Sequence, residues 1–127
     1  MAVGVSSYTA DAWLDALCNA TSFSVATPYL KLHVGDPGAL GTSSPAVETT
    51  RKTVSFGLSA SGAVSNDVEV QWATISGSED STFFTLWDDP TAGNFLGSGT
   101  VTANPYTAGD TFTIPVGDLD LSLTVAS

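Results

Sequence analysis

Apolar residues in this chain recur at every second position in short runs, and turn-forming residues cut each run off. A period of two puts alternate side chains on one face of an extended strand, so the pattern restricts the chain to a β architecture. Tyr29 to Val34 sets Leu30, Leu32 and Val34 on one face. Thr53 to Phe56 carries Val54 and Phe56, and Asp67 to Ala73 sets Val68, Val70 and Trp72 opposite Glu69 and Gln71. Thr82 to Trp87 is apolar on both faces, with Phe84 and Leu86 against Phe83, Thr85 and Trp87. Asn94 to Thr102, Thr111 to Ile114 and Asp118 to Val125 continue the series, the last with Leu119, Leu121, Leu123 and Val125 in strict alternation. Gly35-Asp36-Pro37-Gly38, Ser61-Gly62, Ser65-Asn66, Asp89-Pro90, Asn104-Pro105 and Ala108-Gly109-Asp110 supply the breaks. Many short strands between such breaks predict a mainly β fold, an antiparallel β-sandwich of jelly-roll type. Its 127 residues suit a single domain over 1–127.

Two segments depart from this period. Ala10, Trp13, Leu14, Leu17 and Cys18 recur at helical spacing, which predicts a short amphipathic helix over 9–19. Thr9 is its expected N-cap, Asp11 lies in the expected first turn, and Asn19 is placed to end it in a left-handed conformation. Trp13, Leu14 and Leu17 need a surface to pack on: either they seal the β domain or the helix docks on another subunit. The second segment, 36–50, is rich in Gly, Pro, Ser and Thr without a period and predicts a long loop. Loops of this length are commonly functional or mobile, and in an assembly such a loop can order against a neighbour.

Charge narrows the function. Thirteen carboxylates face three basic residues, Lys31, Arg51 and Lys52, for a net charge of −10. Phosphate neutralisation and docking on an anionic membrane both require basic clusters, so neither nucleic acid nor a membrane is an expected partner. The single cysteine, Cys18, excludes an intrachain disulfide. Met1 to Tyr8 has no basic residue and no long apolar run, so a classical signal peptide is not expected, and Asn19-Ala20-Thr21 reads as a chance sequon. No run approaches the ~18 apolar residues of a membrane span.

Catalytic candidates are sparse. His33 is the one histidine, with no second His and no useful Cys for a zinc site, and its expected role is structural. Gly97-Ser98-Gly99 precedes no helix and does not form a nucleotide loop. Glu79-Asp80, Asp88-Asp89 and Asp118 with Asp120 are the carboxylate pairs, the last on one strand face. They either cap turns and solvate the surface or converge on calcium, which takes six to eight oxygens. Trp72 and Trp87 read as core, and Tyr8, Tyr29 and Tyr106 as rim packing or contacts to a partner or sugar. No enzyme activity and no cofactor are expected.

The order of several phrases carries more than any one of them. Leu32-His33-Val34-Gly35-Asp36-Pro37-Gly38 is followed by Glu48-Thr49-Thr50-Arg51-Lys52 and Val54-Ser55-Phe56-Gly57. Phe84-Thr85-Leu86-Trp87-Asp88, Phe95-Leu96-Gly97-Ser98-Gly99 and Ala108-Gly109-Asp110-Thr111-Phe112-Thr113-Ile114 come later. Together, over about residues 28–125, they resemble a family of small virion proteins of tailed bacteriophages, especially those of actinobacteria, labelled tail fibre or minor tail proteins. The resemblance implies a structural virion component that assembles as a homo-oligomer with other phage proteins. Capsid decoration fits it nearly as well, and a receptor- or carbohydrate-binding module is the competing class. The residues assigned to partner contacts are Trp13, Leu14 and Leu17 of the helix, with Arg51 and Lys52. The two cations either pair with the acidic surface of a neighbouring copy or open a solvated strand.

Overall fold

The computed structural model describes residues 3–127; Met1 and Ala2, where the signal-peptide reading begins, lie outside them. The chain is mainly β, with antiparallel sheets and a short helix α1 (Ser7–Cys18). The largest sheet has the order β2-β1-β5-β6, formed by Lys52–Thr53, Tyr29–His33, Phe83–Trp87 and Phe95–Thr100. Two strand pairs complete the sandwich-like layout: β3 (Ala63–Ser65) with β8 (Asp120–Ser122), and β4 (Val70–Trp72) with β7 (Phe112–Ile114). They approach opposite edges of the large sheet, β4 beside β2 and β8 beside β6.

Register explains the core. Leu30 lies opposite Leu86 and Leu32 opposite Phe84, so one face of β1–β5 is continuous hydrocarbon. Val70, Trp72, Phe112 and Ile114 pack into the same cluster, together with Ile75, Tyr106 and Leu119. The other face of β1–β5 is also buried, which accounts for the two-sided apolar pattern of β5. Residues 36–50 supply part of that cover. The Ser43 carbonyl meets the His33 ring, and Gly41 lies so close to Phe95 that a Cβ there would meet its ring at 2.5 Å. Ala46 N–H donates to Leu32 O, and Val34 N–H to Ser44 O. This segment is held by its own domain.

Several local expectations change. The helix starts at Ser7 with Ser6 as its N-cap, because the Ser6 hydroxyl accepts from Thr9 N–H at 3.1 Å. Thr9 is therefore inside the helix, its hydroxyl donating to Leu96 O, and the first turn carries no acid. Asn19 caps the end without a left-handed backbone; Ala20, with φ of 53°, takes that role. The strand expected over Thr53 to Phe56 shortens to Lys52–Thr53, and Phe56 makes only a single bridge to Asn66. The strand expected over Asp67 to Ala73 shortens to Val70–Trp72, and Val68 turns to solvent because Asn66 and Asp67 bend the chain before it. The closing strand shrinks to Asp120–Ser122: Leu119 is buried, but Leu123 and Val125 run out into solvent. Its partner β3 lies between two turn signals, Ser61-Gly62 and Ser65-Asn66, where no strand was expected.

Asn66 is the junction of these pieces. Its buried amide donates to Val68 O and Pro115 O and accepts from Gly117 N–H and Leu119 N–H. Truncation strands buried backbone groups, each worth about 1–3 kcal/mol. Asn66→Ala is expected to lower stability by about 3 kcal/mol in urea unfolding, whereas Val68→Ala at an exposed position stays within about 0.5 kcal/mol.

Candidate assembly surface

The helix meets the domain along one line. Thr9 is its only fully buried residue. Ser6 N–H donates to Leu96 O at 2.9 Å, and Ser98 N–H donates to Gly4 O at 2.8 Å, so the lead-in chain lies along the outer edge of β6. Gly97 permits this approach: a Cβ there would sit 3.1 Å from Gly4 O. Trp13 is 37% exposed, Leu14 57% and Leu17 80%. Their spacing puts Leu17 one turn beyond Trp13 and Leu14, making one apolar helix face open to water.

Trp13 joins that face to two depressions. One, of about 400 Å³, is lined by Trp13, Leu58, Val64, Leu121 and Leu123 among others and is mainly apolar. Leu58 on its rim is fully exposed. The other, of about 180 Å³, lies under the helix among Thr9, Trp13, Phe23, Val25, Leu96 and Leu121. Leucine and tryptophan side chains are thus contiguous on this surface rather than scattered singly.

The basic residues occupy a different place. Lys31 is in β1, and Arg51 and Lys52 lie where β2 begins, with Lys52 paired to Leu30. Burial, and then the neighbouring Arg51 charge, hold the Lys31 pKa below its usual value. Arg51 is engaged within its own chain. Its Nη1 donates to Asp89 O and Ala92 O, both at 2.7 Å, and its guanidinium lies 4.3 Å from the Trp87 ring centroid. Asp88 and Asp89 accept from Asn94, Thr91 and Ala92 backbone N–H groups, so this loop is built from turn-capping carboxylates with Arg51 as its clasp.

The remaining polar side chains bond within the fold. Asp118 accepts from the Thr102 hydroxyl and Asp120 from the Ser65 hydroxyl, so the two acids serve different elements. Among the described residues no three His, Cys, Asp or Glu side chains gather as a metal cage requires. His33 is fully buried in a directional chain. Trp87 Nε1–H donates to Thr85 Oγ1 at 2.8 Å, and Thr85 Oγ1 lies 2.9 Å from His33 Nε2. His33 Nδ1 lies 2.8 Å from Ser43 O, a carbonyl that can only accept. Nδ1 therefore carries a proton, and with the ring neutral the Thr85 hydroxyl donates to Nε2. Glu48 was not singled out by sequence; its buried carboxylate accepts Ser76 N–H at 2.9 Å and Thr50 N–H at 3.1 Å. Glu79 accepts Val47 N–H at 2.7 Å and the Tyr106 hydroxyl at 3.2 Å. An acid beside Thr-Thr in an apolar-poor loop was the only available signal for Glu48.

Residues 4–122 match the model of the family described as Podophage GP4 fiber I protein gp80. The chain belongs to this family. It is a structural protein of a phage fibre and hence a component of the virion, as the order of its sequence phrases implied. No curated protein matches the chain.

Two buried groups contribute to the acid response. Burial, helped by Lys31, lowers the His33 pKa from its ordinary 6.5 despite the bond to Ser43. The unfolded chain thus takes up its proton first, and this contribution to stability is lost as pH falls below about 6.5. Burial alone would raise the Glu48 pKa, but the Ser76 and Thr50 bonds outweigh it and hold it below 4.5. Its contribution is lost as pH falls further, below about 4.5. Unfolding free energy measured from pH 8 to 3 should show both steps, with His33→Gln removing the upper one and Glu48→Gln diminishing the lower, to which Asp89, held below its usual range by the Thr91 and Ala92 N–H groups, also contributes.

Proposed function

We propose that this chain is a minor tail or tail fibre-type structural subunit, non-enzymatic, that assembles with copies of itself through symmetric contacts and with other virion proteins. The observation that carries the reading is the exposed Trp13, Leu14 and Leu17 face on a chain whose family is a phage fibre family. A surface leucine at 80% exposure adds nothing to the stability of a lone domain, and its burial at an interface is worth roughly 1.5–3 kcal/mol. Lys52, at the outer strand of the large sheet, is the second proposed contact and complements the acidic surface of a neighbour. Arg51 acts on the same side by holding the 88–93 loop in shape.

The family supports the fibre over the head, and copy number tests it. Quantitative mass spectrometry of purified particles should return a small multiple matching tail symmetry. A count matching the many repeated positions of a capsid would point to decoration instead, and absence from the particle would overturn the reading. Leu14→Asp with Leu17→Asp is expected to leave unfolding free energy within about 0.5 kcal/mol of wild type and to abolish incorporation. Undiminished incorporation of that variant would remove the helix face from the interface.

A further inference from the structure

We propose that the segment from Gly4 to Cys18 is an exchangeable arm, which in the assembled fibre docks on β6 of a second copy of this chain in the register it holds on its own. The inference rests on the self-assembly reading above and says how that assembly is made.

The arm is joined to the domain through one strand. The hydrogen bonds that tie it down end on Leu96 and Ser98: Ser6 N–H and the Thr9 hydroxyl to Leu96 O, Gly4 N–H to the Ser98 hydroxyl, and Ser98 N–H to Gly4 O. A single antiparallel bridge, Val5 with Gly97, continues the sheet. The helix adds one buried residue and leaves an apolar gap of about 180 Å³ beneath it.

The connection to the body is separable in the same way. Between Cys18 and Tyr29 the chain has no helix or strand. The bonds at its start lead back to the helix, Asn19 N–H and Thr21 N–H both reaching Asp15 O, and Phe23 packs edge-on against Tyr8. Val25 packs on the core and Pro28 O accepts from Val54 N–H, so the stretch free to move is 19–24, which spans up to ~20 Å when extended.

The receiving site permits the exchange. Without an arm, β6 is the open edge of the large sheet, with Ser98 N–H and Leu96 O unpaired. An open edge must be covered, and an identical arm from another copy covers it with identical bonds. Every intrachain contact is reproduced between chains, so exchange needs no new chemistry. Leu14 and Leu17, which face water when the arm is closed, then lie at the boundary between two copies.

Complementing variants test this. Ser6→Pro with Thr9→Val disables the arm; Ser6 already has a φ of −69°, so proline fits the backbone while removing the N–H. Gly97→Val disables the dock, because its Cβ meets Gly4 O. In sedimentation velocity, wild type should associate, and each variant alone should associate at least about tenfold more weakly. Their equal mixture should recover a 1:1 heterodimer, since one intact arm meets one intact β6. If wild type associates and the variants match it, or the mixture fails to recover, the arm is not exchanged. If wild type stays monomeric throughout, the self-assembly reading itself falls. Thr9→Val alone paired with Gly97→Ala gives the same readout should circular dichroism show that either first variant is unfolded.

Discussion

Strands here range from two to six residues, too short to pair the backbone they bury by ladders alone. A buried N–H or C=O without a partner destabilises a fold about as much as a lost hydrogen bond. The structure therefore depends on buried polar side chains that act as substitute strands. Asn66 supplies four such bonds where β3, the approach to β4 and the β7–β8 link meet. Glu48 does so between the long loop and Ser76, and Thr9 with Ser6 between the helix and β6. Among the described residues no buried side-chain nitrogen or oxygen lacks a partner. Once these junctions are satisfied, the hydrocarbon of β1, β5, β4 and β7 can share one core.

Legibility in the sequence followed the same division. β1, β5 and β7 were visible because their alternation continues to the ends of real strands. The apolar pattern of 118–125 continues past its strand, since periodicity records what is able to pair and not what finds a partner. β3 was hidden because Ala63, Val64 and Ser65 lie between two turn signals and only Val64 is strongly apolar. The helix was placed late because Ser6, Ser7 and Thr9 all compete for the cap, and only the Thr9 N–H bond to the Ser6 hydroxyl, with Thr9 turned to Leu96 O, decides among them. The outer cover of the large sheet was not legible at all: nothing in a run of Gly, Pro and Ser shows that Ser43 will meet His33 across the sheet.

The residues proposed for partner contacts divide similarly. The helical spacing of Trp13, Leu14 and Leu17 defined a face, but only the structure shows that this face remains open. Arg51 looked like a free cation in an acidic chain, yet the Trp87 ring and two carbonyls hold it. Net charge describes how copies behave at a distance; it does not say which cation is already occupied. With thirteen carboxylates against three basic residues, free copies repel one another at a distance.

The three tryptophans have an optical consequence. Trp72 is sealed in the core, Trp87 lies under a guanidinium with its N–H bonded, and Trp13 stands partly in water on the helix. Their indoles experience three different polarities, so the emission of one chain carries separate signals for its interior, its outer sheet face and its helix. A shift confined to Trp13 would register a change at the helix surface while the interior fluorescence stayed still.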